Sequence, residues 1–317
     1  MIDIWYGNIQ NFGHIGTPQR WVNVLGRIAE PERVSELTYK LNTDPEQLFT
    51  LGPDRHRLAN PGDFNIEIDC SDLKNSQYNL SITAEYNNHH KEEKNVTLNI
   101  TKDRTWPLPY RINWAQAKSI SDVAQVVDGL WRLTPQGVRV IEPYYDRVIA
   151  LGDLSWTDYE ICTTVTFHGM RLPNKSVGDG GANVIHAALA VRWPGHDNGG
   201  KQPRVKWYPL GATAEFRVNP TYENCSWRIL GGNGMVVHSD NGRTIVPDNP
   251  YHMKHRVQSR ADNSAIYSVK LWNTQNKEPD TWDLQMTKEP GDVAHGGALL
   301  IAHYTDVTFG NVEATSI

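Results

Sequence analysis

The chain has 317 residues, of which 39% are hydrophobic and 21% charged, and its formal net charge is −5. That length holds about two domains with packed cores, and the composition argues against a disordered chain. Charges of both signs are scattered, which argues against general nucleic-acid binding, and no apolar run approaches the roughly 20 residues of a membrane-spanning helix.

The opening, Met1–Gly7, lacks the basic and apolar regions of a secretory leader. The compartment stays open on sequence grounds. An extracellular or periplasmic protein whose leader has been removed is favoured slightly over a cytoplasmic one. Glycosylation sequons at Asn79, Asn95, Asn99, Asn174 and Asn224 matter only if a eukaryotic secretory pathway made the protein. Three cysteines, Cys70, Cys162 and Cys225, exclude a disulfide scaffold. Cys162 and Cys225 could pair, although buried free thiols are the favoured reading.

Short runs rich in Val, Ile, Thr and aromatics alternate with Gly, Pro, Asn and Asp clusters, the pattern of an all-β protein. In chain order the first strands are expected at Trp21–Ile28, Val34–Leu41, Gln47–Leu51, Phe64–Ile68, Tyr78–Glu85 and Asn95–Ile100. Glu67 and Asp69 share one face of the fourth, read as an exposed acidic edge. The segment LKNSQYNLSITAEY sets a tyrosine before a long alternating strand. With about 104 residues of short strands, it resembles the immunoglobulin-like or fibronectin-like accessory modules. TKDRTWPLPY, residues 101–110, then breaks the rhythm with two prolines and marks a domain boundary near 104. The best helical candidate, Ala115–Gln125, is short and poorly patterned.

Beyond it, alternation sorts the strands into two faces. In Tyr159–His168, Tyr159, Ile161, Val165 and Phe167 point inward, while Glu160, Cys162, Thr164, Thr166 and His168 point outward. In Asn183–Trp193, Ile185, Ala187, Leu189, Val191 and Trp193 form a core face; His186, Ala188, Ala190 and Arg192 form a floor of small side chains ending in a histidine and an arginine. A ligand could lie on that floor, or the alanines could accommodate a crossing element while Arg192 makes a structural ion pair. Arg204, Lys206 and Tyr208 share a face of the next run, and Glu215 and Arg217 oppose Ala214, Phe216 and Val218. Trp193, Trp207 and Tyr208 lie at or beside these strands.

DGLWRLTPQGVRV, GDLSWTDYEICTTVTF, YSVKLWNTQNKEPDTWDLQ and GALLIAHYTDVTFGNVE occur in that order over about 200 residues. Together they resemble the concanavalin A-like lectin/glucanase superfamily, particularly its laminin G-like and sugar-hydrolase relatives. The resemblance implies a jelly-roll β-sandwich over residues 105–317, preceded by the immunoglobulin-like sandwich over 1–104. Because that superfamily includes lectins, hydrolases, lyases and adhesion modules, it implies a fold more than an activity.

Sugars suit a polar sheet face bearing aromatics. The expected ligand is an oligosaccharide or polysaccharide held by His168, His186, Arg192, Trp193, Arg204, Lys206, Trp207, Tyr208 and Arg217. Were the protein an enzyme, Glu160, Glu215, His186 and Tyr208 would be its catalytic groups. The E-x-D-x-E strand of the family's retaining glucanases is absent, and VIH (184–186) only loosely resembles the Q-I-H of its alginate-lyase-like members. A glycoside hydrolase therefore ranks above a lyase, and both rank below carbohydrate recognition. An adhesion or assembly subunit is a further alternative, and the oligomeric state stays open. No cofactor is required. His252 and His255 face opposite sides of a strand, against a zinc site; the resemblance allows a structural calcium ion, with Asp146 and Asp306 as candidate ligands.

Overall fold

The computed structural model describes residues 1–172, 184–197, 202–239 and 242–317. They form an all-β protein of two stacked-sheet bodies. The first contains β1 (Ile2–Ile4), β2 (Ile9–Phe12), β3 (Trp21–Ile28), β4 (Val34–Leu41), β5 (Gln47–Leu48), β6 (Asp63–Asp69), β7 (Ser76–Tyr86) and β8 (Lys91–Ile100). Its sheets run β1-β3-β6 and β2-β8-β7-β4-β5, with β2 and β8 parallel. Val22, Val24, Phe64 and Ile66 from one sheet meet Leu80, Ile82, Val96 and Leu98 from the other, all without solvent access. Each such side chain contributes about 1.5–3 kcal/mol by leaving water.

The second body contains β9 (Tyr110–Ile112), β10 (Gln125–Asp128), β11 (Trp131–Thr134), β12 (Gly137–Val140), β13 (Arg147–Leu151), β14 (Tyr159–Met170), β15 (Ile185–Trp193) and β16 (Ala212–Val218). It continues with β17 (Ser226–Gly231), β18 (Val236–His238), β19 (Pro250–Ser259), β20 (Ala265–Asn273), β21 (Leu284–Lys288), β22 (Gly297–His303) and β23 (Thr305–Ser316). A seven-stranded sheet, β10-β13-β22-β15-β16-β17-β18, packs on an eight-stranded one, β11-β12-β23-β14-β19-β20-β21 with β9 on β23. The result is a jelly-roll sandwich. As alternation predicts, Tyr159, Ile161, Val165 and Phe167 of β14 face inward, against Ala187, Leu189 and Val191 of β15 and Ala214 and Phe216 of β16.

Several expectations need correction. Ala115–Gln125 holds no α-helix, only a 3-10 turn at Ile120–Asp122. Asp122 Oδ2 accepts from the Lys118 and Ser119 amides at 3.0 and 2.9 Å, so side-chain capture of the backbone wins over helix propagation. Residues 204–208 are a loop with one bridge, Asp197 to Lys206, rather than a strand; Pro203 and Pro209 at its ends lack the N–H a ladder needs. Cys162 and Cys225 are free thiols, the favoured reading, with Cys225 buried and Cys162 half-buried.

β15 departs from plain alternation at a bulge. Its register on β22 shifts between Ala190 and Trp193, and Arg192 takes a left-handed φ of 55°. Opposite it, a Cβ on Gly296 would lie 2.6 Å from the Arg192 carbonyl carbon, so only glycine admits this close approach. The extra residue turns Trp193 onto the face of Ala188 and Ala190, where it packs with Val148, Leu210, Leu299 and Ile301. Along β13, β22 and β15 the seven-stranded sheet is thus buried on both faces.

Part of that outer cover is the first sandwich. Along β3 and β6 the outward positions Asn23, Asn65 and Glu67 are buried, not solvated. Asn65 Nδ2 donates to the Val127 carbonyl at 2.8 Å, and Trp21 Nε1 to that of His196 at 2.7 Å. Glu67 accepts from Arg57 at 2.6 Å, and Arg57 also reaches Asp128 at 2.7 Å. The supposed acidic edge at Glu67 is half of a buried clasp between the two bodies.

Candidate functional site

Where the first sandwich stops covering the seven-stranded sheet, a cavity of ≈ 480 Å³ opens. That volume falls within the roughly 300–1,000 Å³ of small-ligand sites. Its floor is the outer face of the sheet, with His186, Thr213, Glu215, Arg228, Ile301 and His303; Tyr145, Asp146, Lys206, Trp207 and Tyr208 wall it. A groove of ≈ 940 Å³ crosses the outside of the eight-stranded sheet, lined by Arg111, Cys162, Thr164, His252 and Glu313. It is larger, but it brings no comparable set of buried titratable groups together, so the smaller cavity is the better candidate.

Register builds the floor. His186 pairs across the ladder with His303 on one side and Arg217 on the other, so the two imidazoles stack with centroids 4.6 Å apart and planes 2° from parallel. Glu215 lies opposite Arg228, which holds its carboxylate through both Nε (2.7 Å) and Nη2 (2.5 Å). Arg217 Nε adds a contact at 3.4 Å. Asp146, just ahead of β13 with φ 30°, places Oδ1 2.7 Å from His303 Nδ1. The Asp146 amide lies 3.3 Å from that same nitrogen, which can serve only one of them. The shorter, charge-assisted contact decides it: Nδ1 carries the proton and donates to the carboxylate.

All four of these groups are at least nine-tenths buried: Asp146 is 9% exposed, His186 5%, His303 4% and Glu215 3%. Burial, helped by His303 and opposed by Asp146, keeps the His186 pKa well below the usual histidine value. Burial works to raise Asp146, but the His303 imidazole outweighs it and holds the carboxyl below its ordinary range. Tyr145 is raised, first by the Asp146 charge and then by burial. Among the described residues His186 Nδ1 has no hydrogen-bond partner, and Glu215 Oε2 lies 3.8 Å away. Tyr208 is 40% exposed at the mouth, and the neighbouring Trp207 packs tilted on Trp193 and edge-on against His196.

The structure brings together His186, Glu215, Lys206, Trp207 and Tyr208, with Arg217 beside Glu215. It separates the rest. Arg192 is turned by the bulge away from the cavity: it pairs with Asp158 at 2.9 Å and donates to Ser259 Oγ and the Thr157 and Val293 carbonyls, a structural ion pair. Trp193 is fully buried beneath Trp207. Arg204 sits at the clasp, 3.2 Å from Glu67 and over the Trp21 ring. His168 lies on the other sheet, between Asp248 and Thr308.

Glu160 also belongs to the outer face of the eight-stranded sheet, paired with Lys254 and Arg256, so the sandwich core separates it from Glu215. The two cannot flank one bond, and Glu160→Gln should leave ligand affinity at the cavity within about twofold in titration calorimetry. Asp306 is taken by Arg139 in two contacts of 2.8 and 2.7 Å, apart from Asp146. Tyr145, Arg228 and His303 were not among the sequence candidates. One signal for His303 was available: Leu299, Ile301 and His303 alternate along GALLIAH just as Ala188 and His186 do along β15.

No family model and no curated protein sequence matches the chain. Solved structures similar to it include a carbohydrate-binding module from Bacillus subtilis, at 17% identity over 61% of this chain and 95% of that one, with a TM-score of 0.39. An alginate lyase in complex with alginate trisaccharide is similar at 12% identity over 67% of this chain and 100% of its own, TM-score 0.39. A xylan β-1,4-xylosidase from Bacillus halodurans is similar at 10% identity over 96% and 64%, TM-score 0.37.

Proposed function

We propose that the chain recognises an oligosaccharide or polysaccharide in the cavity over His186 and His303. One observation carries the reading: a single cavity of ≈ 480 Å³ sets the rings of Tyr145, Trp207 and Tyr208 against a floor of Glu215, Arg228 and two histidines. Sugar C–H faces pack on such rings, while hydroxyls need directional donors and acceptors. The floor groups are fixed by ladder register and mutual pairing, so little ordering is required when a sugar arrives. Lys206 at the rim and Arg228 on the floor admit carboxylated as well as neutral sugars. Within this proposal, residues 1–104 are an immunoglobulin-like accessory module and 105–317 a concanavalin A-like domain; the separate apolar core of the first sandwich supports the division.

A glycan array followed by titration calorimetry on the best binder tests it. Tyr208→Ala, at a position too exposed to govern folding, should weaken binding about tenfold, or ~1.4 kcal/mol. An array on which no glycan is retained, or an unchanged affinity in the variant, overturns the reading.

Hydrolysis is a second reading, favoured by two carboxyl groups, Asp146 and Glu215, in that one cavity, where a glycosidase keeps its acid and its base. Mass spectrometry of the bound glycan after incubation separates the two. Shortened products that vanish in Glu215→Gln support an enzyme, and an intact glycan supports a binding module.

A further inference from the structure

The two histidines and the aspartate do more than line a wall. Asp146, His186 and His303 each offer one ligand atom, and the three atoms lie within 4.8 Å of one another. All are buried at the base of the cavity, and among the described residues His186 Nδ1 has no hydrogen-bond partner. An orphaned polar atom in such a place is costly unless something satisfies it.

We propose that Asp146, His186 and His303 hold a divalent transition-metal ion of the zinc type, with an open coordination position facing the cavity. Two imidazoles and one carboxylate are a borderline donor set that suits Zn²⁺; Ca²⁺ and Mg²⁺ call for six or more oxygens. Three protein ligands with a free position is the pattern of ions that take a ligand oxygen, as opposed to the closed four-ligand pattern of structural zinc.

The adjustment needed is small. Asp146 Oδ1 and His303 Nδ1 now stand 2.7 Å apart, joined by the Nδ1 proton, which the ion would displace on binding there. Bonds of about 2.0–2.1 Å to a tetrahedral ion set ligand atoms roughly 3.3 Å apart. The orphan nitrogen is accounted for by either orientation of His186. Nδ1 can bind the ion, or Nε2 can bind it while Nδ1–H turns to Glu215 Oε2, 3.8 Å away, in a carboxylate–histidine–metal relay. The part played toward sugar rests on the saccharide reading above: the open position would take a hydroxyl or carboxylate oxygen of the bound ring.

The test uses the full chain, dialysed against chelator, and titrated with Zn²⁺ alone by calorimetry. A parallel titration with Co²⁺ is followed by its visible absorption. The expected result is one equivalent bound at micromolar Kd or tighter, with a tetrahedral cobalt spectrum. His303→Gln and Asp146→Asn, checked for folding by circular dichroism, should each weaken Zn²⁺ by at least about 100-fold. Absence of stoichiometric binding to the wild type, or binding unchanged in both variants, overturns the site. X-ray absorption of the zinc-loaded wild type gives a readout independent of the variants: imidazole scattering from two ligands supports the assignment, and none refutes it. Glycan affinity is then compared with and without Zn²⁺. An unchanged affinity overturns the ion's part in sugar binding while leaving the saccharide reading intact, and zinc uptake by a chain that binds no glycan overturns only the latter.

Discussion

Arg57→Ala should lower the free energy of unfolding by about 3–5 kcal/mol, the cost typical of removing one partner from a buried ion pair. Arg57 is 4% exposed and stands between Glu67 at 2.6 Å and Asp128 at 2.7 Å, also donating to the Arg204 and Val127 carbonyls. Glu67 belongs to the first sandwich and Asp128 to the second, so the guanidinium joins the two bodies. Without it, two carboxylates face each other out of water. The loss should depend on pH. Burial pushes the Asp128 pKa up to about 7 even against the pull of Arg57. A carboxyl whose folded value exceeds its unfolded one binds its proton more tightly when folded, so it costs stability as pH rises from about 4 towards 7. Removing Arg57 strengthens that tendency, and the deficit should be larger at pH 8 than at pH 5. Urea unfolding of wild type and variant at both pH values measures it; a deficit below about 1 kcal/mol, equal at the two, would show that the clasp contributes little.

The clasp also shows where sequence reasoning meets its limit. Trp21–Ile28 and Val34–Leu41 are strands over the ranges that alternation predicts, because a two-residue period with one apolar face leaves a single way to fold. The same alternation gives polar positions Asn23, Asn65 and Glu67, and it does not distinguish water from a polar partner surface. Only the arrival of Arg57 and Arg204, from loops 10 and 137 positions away in sequence, makes Glu67 interior. β1 and β2, at three and four residues, are too short to carry a period at all.

The site was half legible for a related reason. His186 and Glu215 could be gathered from strand parity, and Lys206, Trp207 and Tyr208 from residue chemistry alone, since their segment is a loop. Arg192 and Trp193 could not be placed, because a one-residue bulge exchanges faces and its cause, the close approach of Gly296, lies on another strand. His303 and Asp146 join His186 through the pairing of β13, β22 and β15, a strand order that the local pattern does not encode. Glu160 and Glu215 each sat on the polar face of a strand, but the two strands belong to different sheets; parity gives inside or outside, never which outside.

Between the sheets a second buried group governs behaviour in acid. His255 has no solvent access; its Nδ1 donates across the core to the Leu189 carbonyl at 3.0 Å, and among the described residues its Nε2 has no partner. Burial depresses its pKa to about 4, with the Leu189 carbonyl opposing only in part. An unfolded histidine titrates near 6.5, so on acidification the unfolded chain takes the proton first. His255 therefore contributes fully above about pH 6.5, and its contribution declines as pH falls toward 4, by about 3 kcal/mol over that window. His255→Gln cannot titrate, yet it keeps an N–H able to reach Leu189. At pH 7 it should cost about 1–2 kcal/mol in packing and hydrogen bonding. Near pH 4 the gap should close or reverse, because the wild type has lost what the variant never had. Other buried histidines titrate alike in both proteins, so the difference between the two urea-derived stability curves isolates this one. Parallel curves from pH 8 to pH 4 would mean that His255 accepts its proton in the folded core without penalty, against what a dry, unpartnered Nε2 demands.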